Sequence, residues 1–288
     1  MPEFSKVIAG CMSWGTWGKN LSTSEMQRQL AQCIDIGIHS FDHADIYGDY
    51  STEAAFGKAF QNSGISRSEL QLISKCGIQY TGEARSNRVK HYEYTSEYIV
   101  WSVEQSLQHL HTEYLDLLLL HRPSPLMRPE EIAEAVEILR KDGKILDFGV
   151  SNFNPAQTAL LEKYTAVSTN QIEVSLTNYE AIWDGSLTHM QSSAIRPMAW
   201  SPLGSYFKET SAQQKRLQKE VLFLAEKYSI TESQVLLAWL YKHPAGILPV
   251  VGTTTISRLR EALEAAEIVL STEDWFALLV ASQGHKVP

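Results

Sequence analysis

Asp42, Tyr47, Lys75 and His121 form a set of side chains able to hand a proton to a carbonyl oxygen. Each lies at or just past the end of a short apolar segment that reads as a β-strand: Ile38 to Phe41, Leu70 to Ser74, and Leu115 to Leu120. Neighbouring parallel strands would bring a phenol, an amine, a carboxylate and an imidazole to one mouth. There an ammonium held against the phenol favours the phenolate and lowers its pKa from ~10, while a carboxylate fixes the ammonium. Taken singly the four have plainer readings. Asp42 and Lys75 could be a structural ion pair, Tyr47 a packed aromatic, and His121 a strand cap. Their common placement is the signal.

The elements that must position them alternate along the chain. Candidate strands lie near Lys6–Ala9, Ile38–Asp42, Leu70–Ser74, Leu115–Leu120, Ile145–Val150, Ser168–Ile172, Arg196–Trp200 and Ile247–Val251. Amphipathic helices separate them. Met26, Leu30, Cys33 and Ile34 recur at helical spacing behind a Ser22/Glu25 capping box. Pro129 and Pro155 suit first helical positions, the latter after Asn154 as N-cap, and Thr231 with Gln234 opens another helix. Eight strands interleaved with helices predict an α/β fold, a TIM (β/α)8 barrel spanning 1–288 as a single domain. An open doubly wound sheet is the alternative, disfavoured because no G-x-G-x-x-G follows the first strand. The segments Gly77 to Thr95 and Leu203 to Gln213 exceed what barrel turns need, and are candidate lids or pocket walls. The first carries Arg85, Arg88, Lys90, His91, Tyr92 and Tyr94, read by default as a solvated loop.

Composition excludes several classes. With 44% apolar and 20% charged residues the chain can bury a large core, and a net charge of −8 argues against a broad nucleic-acid surface. Cys11, Cys33 and Cys76 have no metal-like spacing and read as reduced thiols, so no metal is expected. The start Met1-Pro2-Glu3-Phe4 shows no signal peptide, and the apolar run Leu117 to Leu120 is far too short to span a bilayer. The expectation is a cytoplasmic protein, a monomer, with a small molecule as its partner and neither nucleic acid nor membrane.

Reading the strand ends in order gives Ser13 and Trp14, Asp42 and Tyr47, Lys75, His121, Ser151 and Asn152, Gln171, Trp200 and Ser201, then Gly252 and Thr253. The pattern Asp42-x-x-x-x-Tyr47, Lys75, His121-Arg122-Pro123, Gly149-Val150-Ser151-Asn152-Phe153, Asn170-Gln171 and Ser201-Pro202-Leu203-Gly204 resembles the aldo-keto reductase superfamily, in its order, from Val7 to about Ala265. His43-Ala44-Asp45 and Trp200 look like a bacterial branch of uncharacterised oxidoreductases within it.

The resemblance implies NADPH-dependent reduction of aldehydes and ketones to alcohols, with Tyr47 as general acid, Lys75 its tuner, Asp42 the lysine's anchor and His121 orienting the carbonyl. It places a nicotinamide dinucleotide across the mouth without a Rossmann motif. Ser151, Asn152 and Gln171 match the positions that hold the carboxamide, and Trp200 the ring on which nicotinamide stacks, where many relatives have tyrosine. Ser201, Leu203 and Gly204 match the pyrophosphate path. Gly252, Thr253, Thr254 and Arg258 match the adenosine end, Arg258 being suited to a 2′-phosphate. Two departures bear on cofactor choice: a basic residue common near Thr254 is missing, and Ala262 replaces a frequent asparagine. NADPH is expected ahead of NADH. Trp14, with Tyr80 or Trp183, is expected to line an aromatic substrate pocket. Two other readings stand beside this one. A nucleotide-binding regulatory subunit would bind cofactor without turnover, and a Schiff-base enzyme would use Lys75 as its amine.

Overall fold

Eight parallel strands close on themselves, each returning through helix. The computed structural model describes residues 3–208 and 210–287. The strands are β1 (Ile8–Gly10), β2 (Ser40–Asp42), β3 (Gln71–Cys76), β4 (Ile78–Gln79), β5 (His91–Tyr92), β6 (Leu115–Leu120), β7 (Ile145–Ser151), β8 (Thr169–Glu173), β9 (Arg196–Trp200) and β10 (Leu248–Val251). The barrel runs β1-β10-β9-β8-β7-β6-β3-β2, and β4 pairs with β5 as a separate antiparallel ribbon. The helices are α1 (Thr23–Asp35), α2 (Thr52–Gln61), α3 (Ser96–Leu110), α4 (Pro129–Lys141), α5 (Pro155–Glu162), α6 (Ser186–Ser192), α7 (Ala212–Tyr228), α8 (Glu232–Tyr241), α9 (Ile256–Glu264) and α10 (Thr272–Gln283). All eight expected barrel strands are present, and the fold is a (β/α)8 barrel.

Local chemistry sets the helix starts. Ser22 and Glu25 close a capping box on α1, as do Asn154 with Gln157 on α5 and Thr231 with Gln234 on α8. Each satisfies amide donors that the first turn leaves free. Pro129 and Pro155 occupy the opening turns of α4 and α5, where no amide hydrogen is needed. Among the described residues no helix is long and apolar enough to cross a membrane.

The period of two along each strand divides the apolar residues between two cores. Ile8, Ile73, Leu117, Leu119, Met198 and Val250 form a buried column of their own within the barrel. Their strand neighbours Leu72, Leu118, Leu120, Phe148, Val150 and Ala199 belong instead to the large core shared with helix residues such as Met26, Leu30, Val103 and Leu139. Gly149 sits at a close approach in the barrel wall: a Cβ there would lie 2.5 Å from Thr169 O and 2.8 Å from a Leu119 methyl.

The column sets the mouth. Lys75 follows Ile73 by two residues, His121 follows Leu119, and Trp200 follows Met198, so the inward face continues into polar and aromatic groups. Register carries this across strands, pairing Asp42 with Ile73, Lys75 with Leu119, and Ser151 with Gln171. The apolar floor and the polar rung are therefore one periodic pattern.

Candidate active site

Lys75 is the hub of the polar rung. Its side chain is 1% exposed, and its ammonium donates to both Asp42 carboxylate oxygens at 2.7 Å and to the His43 carbonyl at 2.8 Å. A fourth, longer contact of 3.2 Å reaches the Tyr47 hydroxyl. Tyr47 stands on the turn after β2, its ring half-buried at the mouth and its hydroxyl directed down to the lysine. The His121 ring meets the Tyr47 ring edge-on at 6.1 Å. All four groups singled out in the sequence meet here.

The electrostatics correct one expectation. Lys75 does pull the Tyr47 phenol down, but burial is the larger effect and Asp42 adds to it, so the phenol is pushed up to about 12. A phenolate in this dry site loses more hydration than one ammonium, already committed to Asp42, returns. Tyr47 therefore holds its proton at neutral pH. Burial alone would depress the Lys75 ammonium, yet Asp42 and then Tyr47 outweigh it and its pKa is raised. His121 is driven well below its ordinary value by burial, then by Lys75, Arg122 and Lys90, so its imidazole is neutral. Its Nδ1 has no hydrogen-bond partner among the described residues.

The positions matched to the nicotinamide form a chain of hydrogen bonds leading to the same carboxylate. The Trp200 indole N–H donates to Asn152 Oδ1 at 2.9 Å, and the Asn152 amide donates to Ser151 Oγ at 2.7 Å. Ser151 Oγ donates to the Gln171 carbonyl, and the Gln171 side-chain amide donates to Asp42 Oδ1 at 2.8 Å. Asn152 and Ser201 adopt left-handed backbone, φ 60 and 48, which turns the chain sharply at two strand ends. Gly204 also has positive φ, and its close approach to Thr177 leaves no room for a side chain. Leu203 is partly buried against the main core. At the far side, Ser13 donates to the Gly252 carbonyl at 2.6 Å, and the space beside Gly252 is open. Thr253 and Thr254 are half-buried between it and α9. Arg258 lies in the first turn of α9, exposed and paired with no acid among the described residues.

Trp14 is not a pocket wall. It is 1% exposed and packs against Phe41 and Phe56, 6.0 and 5.8 Å between ring centroids. The short 3-10 turn Met12–Trp14 rotates it into the core and leaves Trp17 outside. Trp17 stands 6.4 Å from the Tyr47 ring and 5.2 Å from Tyr80. Trp14 and Trp17 lie three residues apart in the Trp-Gly-Thr-Trp run, and only the turn sets which of them faces the Tyr47 ring.

Gly77 to Thr95 carries the β4–β5 ribbon and is fastened by side-chain hydrogen bonds along its length. Arg85 is not solvated as expected: its guanidinium lies 3.9 Å over the Tyr50 ring and donates to Gln79 and to the Tyr98 hydroxyl. Asp49 accepts from the amides of Glu83 and Ala84, and Asn87 donates to the Tyr80 carbonyl. Leu203 to Gln213 forms turns leading into α7, with Glu209 outside the described residues.

Behind the site, Asp45 and Glu53 are both buried. Burial and then the Glu53 charge push Asp45 up to about 8, and burial pushes Glu53 up to about 7. A carboxyl whose folded pKa is raised binds its proton more tightly when folded. Its contribution is full below the unfolded value near 4 and is lost as pH rises toward 8. Thermal unfolding at pH 5 and pH 8 should show wild-type stability falling over that interval, with Asp45→Asn falling distinctly less. Equal losses in both proteins would place the titration elsewhere.

The sequence model described as the aldo/keto reductase family matches residues 6–279, nearly the whole barrel. This chain belongs to the aldo/keto reductase family. Among its relatives, the uncharacterized oxidoreductase YcsN of Bacillus subtilis is 42% identical, covering 99% of this chain and 97% of that one. The 6-dehydroglucose reductase of Agrobacterium fabrum is 36% identical, covering 99% and 96%. A Klebsiella pneumoniae aldo/keto reductase solved with NADP and acetate superposes with a TM-score of 0.77 at 26% identity, covering 99% and 93%. Carbonyl reduction is the general activity of this aldo/keto reductase, an NAD(P)H-dependent oxidoreductase.

Proposed function

We propose that this reductase uses NADPH to reduce aldehydes and ketones, with Tyr47 giving its proton to the carbonyl oxygen. The observation that carries the reading is the single buried ammonium shared by Asp42 and the Tyr47 hydroxyl. A substrate oxygen between Tyr47 and the neutral His121 would accept a hydrogen bond from each. Because its imidazole is uncharged, His121 orients the carbonyl without competing as the acid. As the phenol yields its proton, the growing negative charge on its oxygen strengthens the contact with Lys75, which is the longest the ammonium makes at rest. An interaction that grows along the reaction lowers its barrier.

A bound nicotinamide dinucleotide supplies the hydride. The residues present fit such a group. Ser151, Asn152 and Gln171 together offer amide and hydroxyl donors and acceptors, and beside them stands the half-buried Trp200 ring. Gln171 spends one amide hydrogen on Asp42 and keeps its oxygen as an acceptor. The unpaired guanidinium of Arg258 supports NADPH over NADH, with Thr253 and Thr254 able to add hydroxyl donors. The solved relative with NADP is in keeping with this choice. The regulatory-subunit reading has no observation in its favour, since the four catalytic candidates are present and in contact.

Charge-assisted hydrogen bonds to a 2′-phosphate are worth ~1.5–3 kcal/mol, a preference of roughly 10- to 150-fold for NADPH. Arg258→Ala should weaken NADPH by about that factor, leave NADH nearly unchanged, and remove a preference that shrinks in high salt. Cofactor oxidation with a panel of aldehydes, ketones, dicarbonyls and sugars, run with both nucleotides, tests the reading. Equal losses for both in Arg258→Ala would make the arginine a support for the loop.

A further inference from the structure

Arg122 stands next to His121, and no acid among the described residues pairs with its charge. Its backbone is clamped by Tyr94, whose hydroxyl donates to the Arg122 carbonyl at 2.6 Å and accepts from its amide at 3.2 Å. Tyr94 is itself 5% exposed, so the clamp is rigid. The guanidinium carbon lies over the Trp200 ring, 5.7 Å from its centroid. A cation–π contact at this range uses the charge of a guanidinium without consuming its N–H donors. Among the described residues Arg122 makes no ion pair and no side-chain hydrogen bond.

Lys90 is a second exposed cation on the neighbouring loop wall, also without an acidic partner among the described residues. Lys90 directly precedes β5, whose His91 pairs with Gln79 just past the end of β3, so it stands at the same end of the barrel as Arg122. The chain as a whole carries a net charge of −8, so this cationic rim runs against the average of the surface. A local patch of one sign beside a cleft concentrates ligands of the other.

We propose that Arg122, assisted by Lys90, binds an oxyanion on the substrate, so that the preferred carbonyl compounds are acids: aldehydes or ketones bearing a carboxylate, sulfonate or phosphate. This rests on the reductase reading of the site. It adds a specificity residue to that site and leaves the proton donor unchanged. The carbonyl goes to Tyr47 and His121, and the anion to the fork of Arg122, where paired N–H···O contacts fix its orientation.

Matched substrates test it with the full chain and NADPH: 4-formylbenzoate against its methyl ester, and 4-oxobutanoate against butanal. Wild type should favour the acid of each pair by roughly 10-fold or more in kcat/KM, chiefly through KM, and less so at high salt. Arg122→Met keeps an apolar stem over Trp200 and should bring the ratio close to one, while Arg122→Lys keeps part of it. Lys90→Met, on an exposed loop, should lower the ratio by a smaller factor. Near-UV circular dichroism of each variant reports whether the mouth has kept its packing. A wild-type ratio at or below one, or a ratio that Arg122→Met does not move, would overturn the assignment. So would a rise in KM for NADPH with equal losses on both members of a pair, which would give Arg122 to the nucleotide. Turnover of the neutral members without preference sinks this inference alone. No turnover of any member sinks the reductase reading and this one with it.

Discussion

Tyr47→Phe is expected to yield a folded barrel that still binds nucleotide while carbonyl turnover falls at least ~10²-fold, the lower range for a lost general acid. The substitution removes one oxygen, whose one hydrogen bond among the described residues is the 3.2 Å approach of Lys75. The ring keeps its place beside His121 and Trp17. Lys75 keeps its three shorter contacts, so the ammonium has no reason to move. What disappears is the proton and the charge-stabilised phenolate that follows its transfer. In wild type, burial holds the phenol up near 12 against the pull of Lys75, so the acid form is populated throughout the neutral range. Turnover should therefore not titrate away between pH 6 and 8 through Tyr47. Near-wild-type turnover of Tyr47→Phe, measured as steady-state nucleotide oxidation, would move the donor to His121.

Lys75→Met should be the most damaging single change to stability at the site. It leaves the Asp42 carboxylate, 2% exposed, with the Gln171 amide but without its cation. Removing one partner of a buried ion pair costs about 3–5 kcal/mol, because the remaining charge stays desolvated. Activity falls as well, since nothing then stabilises the phenolate. A double variant, Asp42→Asn with Lys75→Met, separates the two effects. Stability should return in large part, because no lone charge is left, while turnover stays lost. Additive stability losses in denaturant unfolding would show that the pair is not energetically coupled.

The barrel and its polar rung were legible in the sequence because they are periodic. Leu115 to Leu120 reads as a strand on composition alone, and Lys75 and His121 then fall where the inward face leaves the apolar column. Features without a period were not legible. The two-residue strands of the β4–β5 ribbon are too short to alternate, so Gly77 to Thr95 read as a loop. Arg85 looked solvated because its partners Tyr50, Tyr98 and Trp101 come from three other segments. The choice between Trp14 and Trp17 hung on a three-residue turn. The height of the Tyr47 pKa depends on burial, which no residue type announces.

The hydrogen bonds that run from Trp200 through Asn152, Ser151 and Gln171 end on the carboxylate that anchors Lys75. On the proposed roles, two functions would draw on one acceptor. A ligand that takes the Gln171 amide for itself leaves more of the Asp42 charge to Lys75, which weakens the lysine's hold on the phenolate and tightens Tyr47's grip on its proton. Thermodynamic reciprocity then requires the converse: the protonation state of Tyr47 must alter the affinity of that ligand by the same factor. Nucleotide dissociation constants measured across alkaline pH should carry this signature, and Gln171→Leu should erase it. With that signature, recognition at one rim and acidity at the other would be a single equilibrium read from two ends.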